Sequence, residues 1–334
     1  MSFIGLSMRR SVLAPRLRPT TTLVRAYTTA KVDIKALKKL RTLNPVAMTK
    51  AKEALLNCDN DITKALAWLE EDALKSGAKK ADKVKDRVAA EGAISVFVNE
   101  SLTAAAIVEL GCETDFVARN TSFVDLAAEI AHASMGFASA SAESAVLANI
   151  ETRGLATMML EGRSVSDTIT ETIGRLGENI VLRRAAVVGA PSGTDKIVVS
   201  GYVHGSVKGS DSASAGKIGG LVAVTSDIKS DAHRSTLSQL TRRLAQQVVG
   251  YAPRFATMEE YKKAGEMTEA PDAVVLEEQQ FLFGGGSVKE VLAKISKELG
   301  APVEILSFVR YERGEGVEKA DKPDFAEEVR QQLA

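Results

Sequence analysis

No stretch of this sequence approaches the roughly 18 consecutive apolar residues that a helix needs to cross a bilayer, so a helical membrane protein is excluded. Cysteine is nearly absent. Cys58 and Cys112 are the only two, they lack CxxC spacing, and the three histidines, His132, His204 and His233, are scattered. These residues supply no metal set, and the two thiols read as reduced and unbridged. A phosphate-binding loop is missing as well. Six residues separate Gly209 from Gly216 where four are needed, and Ile218 follows Lys217 where a hydroxyl would hold Mg2+. Gly284-Gly285-Gly286 has no strand before it and reads as a turn. Direct nucleotide binding is therefore not expected, nor any other cofactor, and no convergent acid, base or nucleophile marks an enzyme. Acidic residues are absent from positions 1–30, where five of the 43 basic residues fall (Arg9, Arg10, Arg16, Arg18, Arg25). All 43 acidic residues lie beyond, so the rest of the chain carries a net charge of −5. A body of that sign lacks the basic footprint of a DNA-binding protein.

What is present is enough hydrophobic material, 45% of 334 residues, for two or three units with cores of their own. Residues 1–30, rich in Arg, Ser and Thr, have the composition of a mitochondrial presequence rather than of a secretory signal with its continuous apolar centre. Residues 31–77 predict three short helices. Val32, Ile34, Leu37 and Leu40 give the first an apolar side, and Asn44-Pro45 opens the second. Ile62, Ala65, Leu66, Leu69 and Ala73 form one stripe on the third, which should stop at Gly77. Residues 78–92 are charged and weakly patterned, the signature of a solvated linker. From Ala93 the apolar period becomes two, predicting a hairpin over 93–98 and 103–110 and then a helix to about Ser134. The order recurs: a strand over 198–203, a Gly/Ser-rich loop over 205–216, a strand over 221–225, and a helix over 231–249 carrying Leu237, Leu240, Leu244 and Val248. The expected core is α+β, a weak duplication with subdomains 93–190 and 191–320 lying side by side. A largely helical stretch over 143–182 and a helical tail over 321–334 complete the plan.

Between the first hairpin and its helix stands Gly111-Cys112-Glu113-Thr114-Asp115-Phe116-Val117-Ala118-Arg119. The acid–aromatic pair Asp115-Phe116 thus falls where a strand hands over to a helix, a rigid place from which to present a side chain. Thr121-Ser122 is the expected N-cap pair of that helix, and Phe123, Leu126, Ala127, Ile130 and Ala131 its apolar face. Residue chemistry leaves two readings open. Phe116 is either a plug for its own core, with Asp115 capping a local turn, or a probe aimed at a partner.

The run from Glu113 to Asn120 closely resembles the signature of the translation elongation factor Ts family. So do Tyr202-Val203-His204-Gly205, Gly177-Glu178-Asn179-Ile180-Val181-Leu182, Ala252-Pro253-Arg254-Phe255 and the closing stretch from Phe308 to Lys319. The resemblance spans about 31–329. It implies an N-terminal three-helix bundle like the ubiquitin-associated domain, followed by a bipartite core of two α+β subdomains with small antiparallel sheets. It implies a guanine-nucleotide exchange factor rather than an enzyme, binding elongation factor Tu through its GTPase domain and a second domain, in the mitochondrial matrix. On that basis Thr114, Asp115, Phe116 and Val117 form the exchange tip. Phe116 would wedge between helices of the GTPase domain and Asp115 would disturb the surroundings of its Mg2+, while Thr114 and Val117 hold the turn. Met48 and His204 would anchor elsewhere on the partner. Pro45 and Glu53 depart from the family's glycine and lysine, so of its contacts near the second helix only Met48 carries over. The competing class is a non-catalytic adaptor that binds helical or peptide ligands through the N-terminal bundle.

Overall fold

A computed structural model of the chain describes residues 32–44, 46, 48–137, 147–160, 162–189, 196–210, 214–265 and 268–318. The expected presequence, Pro45 and the tail over 321–334 lie outside the described residues. The chain divides into two units, Met1–Leu66 and Ala67–Ala334. The first holds α1 (Ile34–Leu43), α2 (Met48–Asn57) and the opening of α3 (Ile62–Val84). Asp33 caps α1 by accepting from the Lys35 amide, and Leu40, Ala51, Ala54, Leu55 and Ala65 supply buried apolar surface.

The second unit continues with β1 (Glu91–Val98), β2 (Ala104–Cys112), α4 (Asp115–Ala118), α5 (Thr121–Ser134), β3 (Leu147–Ile150) and α6 (Thr152–Ala156). Then come β4 (Met159–Leu160), β5 (Arg163–Ser164), α7 (Val165–Leu176), β6 (Val181–Gly189), β7 (Ile197–His204), β8 (Val207–Lys208) and β9 (Ser214–Gly216). The last elements are β10 (Ile218–Thr225), α8 (Asp231–Tyr251), α9 (Met258–Ala264), α10 (Pro271–Val274), α11 (Val288–Leu299) and β11 (Glu304–Glu312). Among the described residues the strands make a six-stranded sheet, β3-β6-β2-β1-β9-β8, a three-stranded sheet, β11-β10-β7, and a small β4-β5 pair, antiparallel throughout.

Strand periodicity dictates how these sheets pack. On β2, Ala106, Val108 and Leu110 join Phe123, Leu126, Ala127, Ile130 and Ala131 of α5 in one core. Ala105 and Ile107 point the other way and meet Ile197, Val199, Leu221, Ala223 and Tyr311 of the second sheet. Val222 and Val224 then turn to Leu237, Leu244 and Val248 of α8 and Leu292 of α11. The result is helix, sheet, sheet, helix. Two strands apolar on both faces cannot leave either face in water, so the halves stack face to face instead of lying side by side. They also exchange a piece: Ala215 and Gly216 of β9 pair with Ser95 and Ile94 of β1.

Three sequence expectations need correction. The third helix does not stop at Gly77 but runs to Val84, which is buried in the first core, so half of the expected linker is helix. Gly77 provides space, not termination: a Cβ there would lie 2.4 Å from the Thr170 carbonyl oxygen of α7. The stretch over 143–182 is only partly helical, because Leu147–Ile150 pairs with β6 as an edge strand. The N-cap of α5 is Asn120, whose side chain accepts from the Ser122 amide, not Thr121-Ser122.

One buried charge ties the layers together. Glu109 is fully buried on β2, on the face toward the second sheet. A β-bulge opposite it pairs Glu109 with Arg184 and Leu110 with Leu182, so the extra residue Arg183 turns to the same side as Arg184. Both guanidinium groups donate to the Glu109 carboxylate, Arg184 Nε at 2.6 Å, and the Gly314 amide beyond β11 donates at 2.8 Å. Arg184 also reaches Glu315 at 2.7 Å and lies over the Tyr311 ring at 4.1 Å.

Gly77→Ala should destabilise the protein by about 1–3 kcal/mol through overpacking, whereas Gly250→Ala, with open space on α8, should stabilise it by about 0.5–1 kcal/mol. Glu109→Ala, which strips two arginines of their shared carboxylate, should cost about 3–5 kcal/mol. Urea unfolding of the three variants measures all of these shifts.

Candidate functional site

The stretch after β2 folds as a single helical turn held from behind. Thr114 is extended, with φ −124 and ψ 155, and its hydroxyl accepts from the Val117 amide at 3.3 Å as the N-cap of α4. Its amide and hydroxyl also donate to the Glu178 carboxylate, at 3.0 and 2.5 Å. Glu113 accepts from the Asn179 amide at 2.7 Å. Val117 and Ala118 turn inward and are buried. Phe116 turns outward and is 84% exposed, so it does not plug its own core. Asp115, at the first helical position, is within 3.3 Å of the Arg119 guanidinium. The turn passes directly into α5: the Asn120 amide donates to Val117, and the Asn120 carbonyl accepts from Phe123.

Cys112, just before the turn, is buried and donates to the Thr114 carbonyl at 3.2 Å. Burial, with the nearby Glu178 charge, pushes its thiol up to about 12. It is therefore a protonated packing group at neutral pH, not a nucleophile.

The structure brings the tip near the turn after His204. Ala118 and Arg119 line a cleft of about 300 Å3 with Gly205, Ser206, Lys217 and Arg313. His204 itself is exposed at the end of β7, its carbonyl accepting from the Lys217 amide at 2.9 Å. It borders a second hollow of about 480 Å3 with Tyr202, Ile218, Val249, Leu282 and Phe283. Met48 opens α2 in the first unit and is also exposed.

Leu282 and Phe283 escaped sequence reasoning as surface residues. They are 49% and 45% exposed, and a buried amide holds their turn: Gln247 Oε1 accepts from the Leu282 amide at 2.8 Å. Their sequence signal is position, two large apolar residues directly before Gly284-Gly285-Gly286, all three at positive φ. The Glu178-Asn179 stretch stood out only by family resemblance, and nothing in the sequence linked it to the tip, which it reaches across more than sixty residues.

Residues 113–264 match the family model described as elongation factor TS, beginning at the first residue after β2. A mitochondrial elongation factor Ts from Salmo salar is 38% identical to this chain, over 86% of it and 88% of that protein. The chain belongs to the elongation factor Ts family. Further elongation factor Ts members span nearly their whole length in the comparison. The protein from Clostridium botulinum is 35% identical over 90% of this chain and 98% of its own, and that from Rhodospirillum rubrum 34% over 91% and 99%.

Native protein at pH 8 should show one thiol, Cys58, reacting quickly with a disulfide reagent, and Cys112 only after denaturant is added. The Cys112 thiol is raised from 9.0 and the Tyr311 hydroxyl from 10.0, each to about 12 and chiefly by burial. Each therefore stabilises fully below its unfolded value, and the contribution is lost as pH climbs to the folded one. Melting temperature should fall from pH 9 towards 12, and less steeply in Cys112→Ala.

Proposed function

We propose that this chain is the guanine-nucleotide exchange factor for elongation factor Tu in the mitochondrial matrix, loosening GDP so that GTP can enter during translation elongation. The observation that carries the reading is the outward Phe116 ring on a pinned helical turn. Holding a phenyl group in water forgoes roughly 2–3 kcal/mol that burial against a partner would supply. Family membership supports elongation factor Tu as that partner. The matrix assignment rests on the acid-free, arginine-bearing segment 1–30 and on the mitochondrial relative.

No covalent bond changes in this reading. Phe116 wedges between helices of the GTPase domain and Asp115 perturbs the polar surroundings of its Mg2+. Thr114 and Val117 keep the turn in shape. Linkage sets the terms: a factor that weakens GDP binding is itself weakened by GDP in the same ratio. Moving a nucleotide-closed population from 1:99 to 99:1 takes about 5.5 kcal/mol of differential binding, more than one buried ring provides. A wider grip must supply the remainder. We assign it to His204 with its neighbouring apolar hollow, on a second domain of the partner, and to Met48 in the first unit.

Release of fluorescent GDP from the organelle's elongation factor Tu tests the assignment. Phe116→Ala should slow release roughly 30- to 150-fold, the rate equivalent of the lost ring burial. If Asp115→Ala combined with Phe116→Ala leaves release as fast as wild type, the exchange-tip reading is wrong.

A further inference from the structure

The exposed tip raises a question that its own residues do not answer. A four-residue helix has no stability of its own, because one turn fixes several dihedrals for almost no hydrogen bonding. Phe116 faces solvent, Asp115 is half-buried beside Arg119, and only Val117 and Ala118 are packed beneath. Yet a wedge is useful only if its direction is settled before the partner arrives.

We propose that Glu178 and Asn179, on the turn between α7 and β6, are positioning residues that fix the direction of Phe116 without touching the partner. This rests on the reading of Phe116 as the exchange probe. The carboxylate of Glu178 takes both donors of Thr114, the amide at 3.0 Å and the hydroxyl at 2.5 Å. Because the Thr114 hydroxyl proton is committed to Glu178, its oxygen lone pair is left to accept from Val117 and start the helix. The lock is reciprocal. The Asn179 amide donates to Glu113 at 2.7 Å, and the Asn179 side chain donates to the carbonyls of Lys85 and Arg87, at 3.3 and 2.8 Å. The arginine of that same segment stands 3.6 Å from Glu113. Gly177, at φ 79, ends α7 in the left-handed conformation that a side chain would resist, immediately before the clamp. Residues 113–114 and 178–179 are therefore joined pair to pair, and the segment after α3 is fastened to both. The wedge is aimed by a turn distant in sequence, while the Phe116 ring stays outward for the partner.

The test is a double-mutant cycle on stopped-flow GDP release from elongation factor Tu, using the full chain as wild type, Glu178→Ala, Phe116→Ala and the double variant. Binding to nucleotide-free elongation factor Tu and melting curves are recorded in parallel. Glu178→Ala should lower the maximal release rate about tenfold while its affinity for the nucleotide-free partner stays within about threefold of wild type. Glu178→Gln, which keeps one acceptor oxygen, should restore part of the rate. In the Phe116→Ala background, removing Glu178 should cost nothing more. A full additional loss there, or unchanged release by Glu178→Ala alone, overturns the positioning role. Unchanged release by Phe116→Ala alone instead removes the probe reading, and the clamp with it; that single variant distinguishes the two failures. Should Glu178→Ala lose its cooperative melt, Thr114→Val removes the hydroxyl bond to Glu178 together with the Val117 cap that depends on it, and carries the comparison.

Discussion

A carboxylate sealed between two sheets is the constraint from which much of this structure follows. Glu109 has no water to solvate it, so its charge must be met inside the protein. Two arginines meet it only because β6 bulges by one residue, and a third donor comes from Gly314 after the last strand of the second sheet. The network therefore joins β2 and β6 of one sheet to the closing turn of the other. The apolar seam of Ala105, Ile107, Ala186, Val199, Leu221 and Ala223 supplies area but little registry, since flat faces of small and branched side chains can slide. The charge cluster sets where sliding stops.

That lock lies on the strand that delivers the tip. Three residues beyond Glu109, β2 ends at Cys112, and the chain turns out as α4. The same device recurs at two places on the surface. An apolar side chain is held outward by a polar group that satisfies the backbone behind it: Glu178 behind Phe116, and Gln247 behind Leu282 and Phe283. In each case hydrogen bonds absorb the backbone donors that would otherwise compete for water, and an apolar group is left available for contact. Both surfaces border the turn that joins β7 to its neighbours, through His204 on one side and Gly205 on the other.

Much of the local order was legible in the sequence. The hairpin, the buried face of α5, and Leu237, Leu240, Leu244 and Val248 of α8 follow from period two and period 3.6, because those periods are properties of backbone geometry. Gly77 misled because a glycine that stops a helix and one that admits a neighbouring backbone look identical in one dimension. The edge strand Leu147–Ile150 was hidden for a related reason: four residues are too few to show a period, and only β6 makes them a strand.

The sequence by itself determined the longer periodic helices and strands, which of their residues are apolar on which side, and that an acid–aromatic pair would stand at a strand-to-helix turn. Whether Phe116 would face inward or outward was a tertiary decision. It depended on Val117 and Ala118 filling the core beneath, and on Glu178 reaching Thr114 across more than sixty residues. The registry of the stacked halves was decided at the same level, through a bulge and a buried carboxylate. Periodicity records only the near neighbours along a chain, whereas the partners of a buried polar group are chosen by the fold in three dimensions.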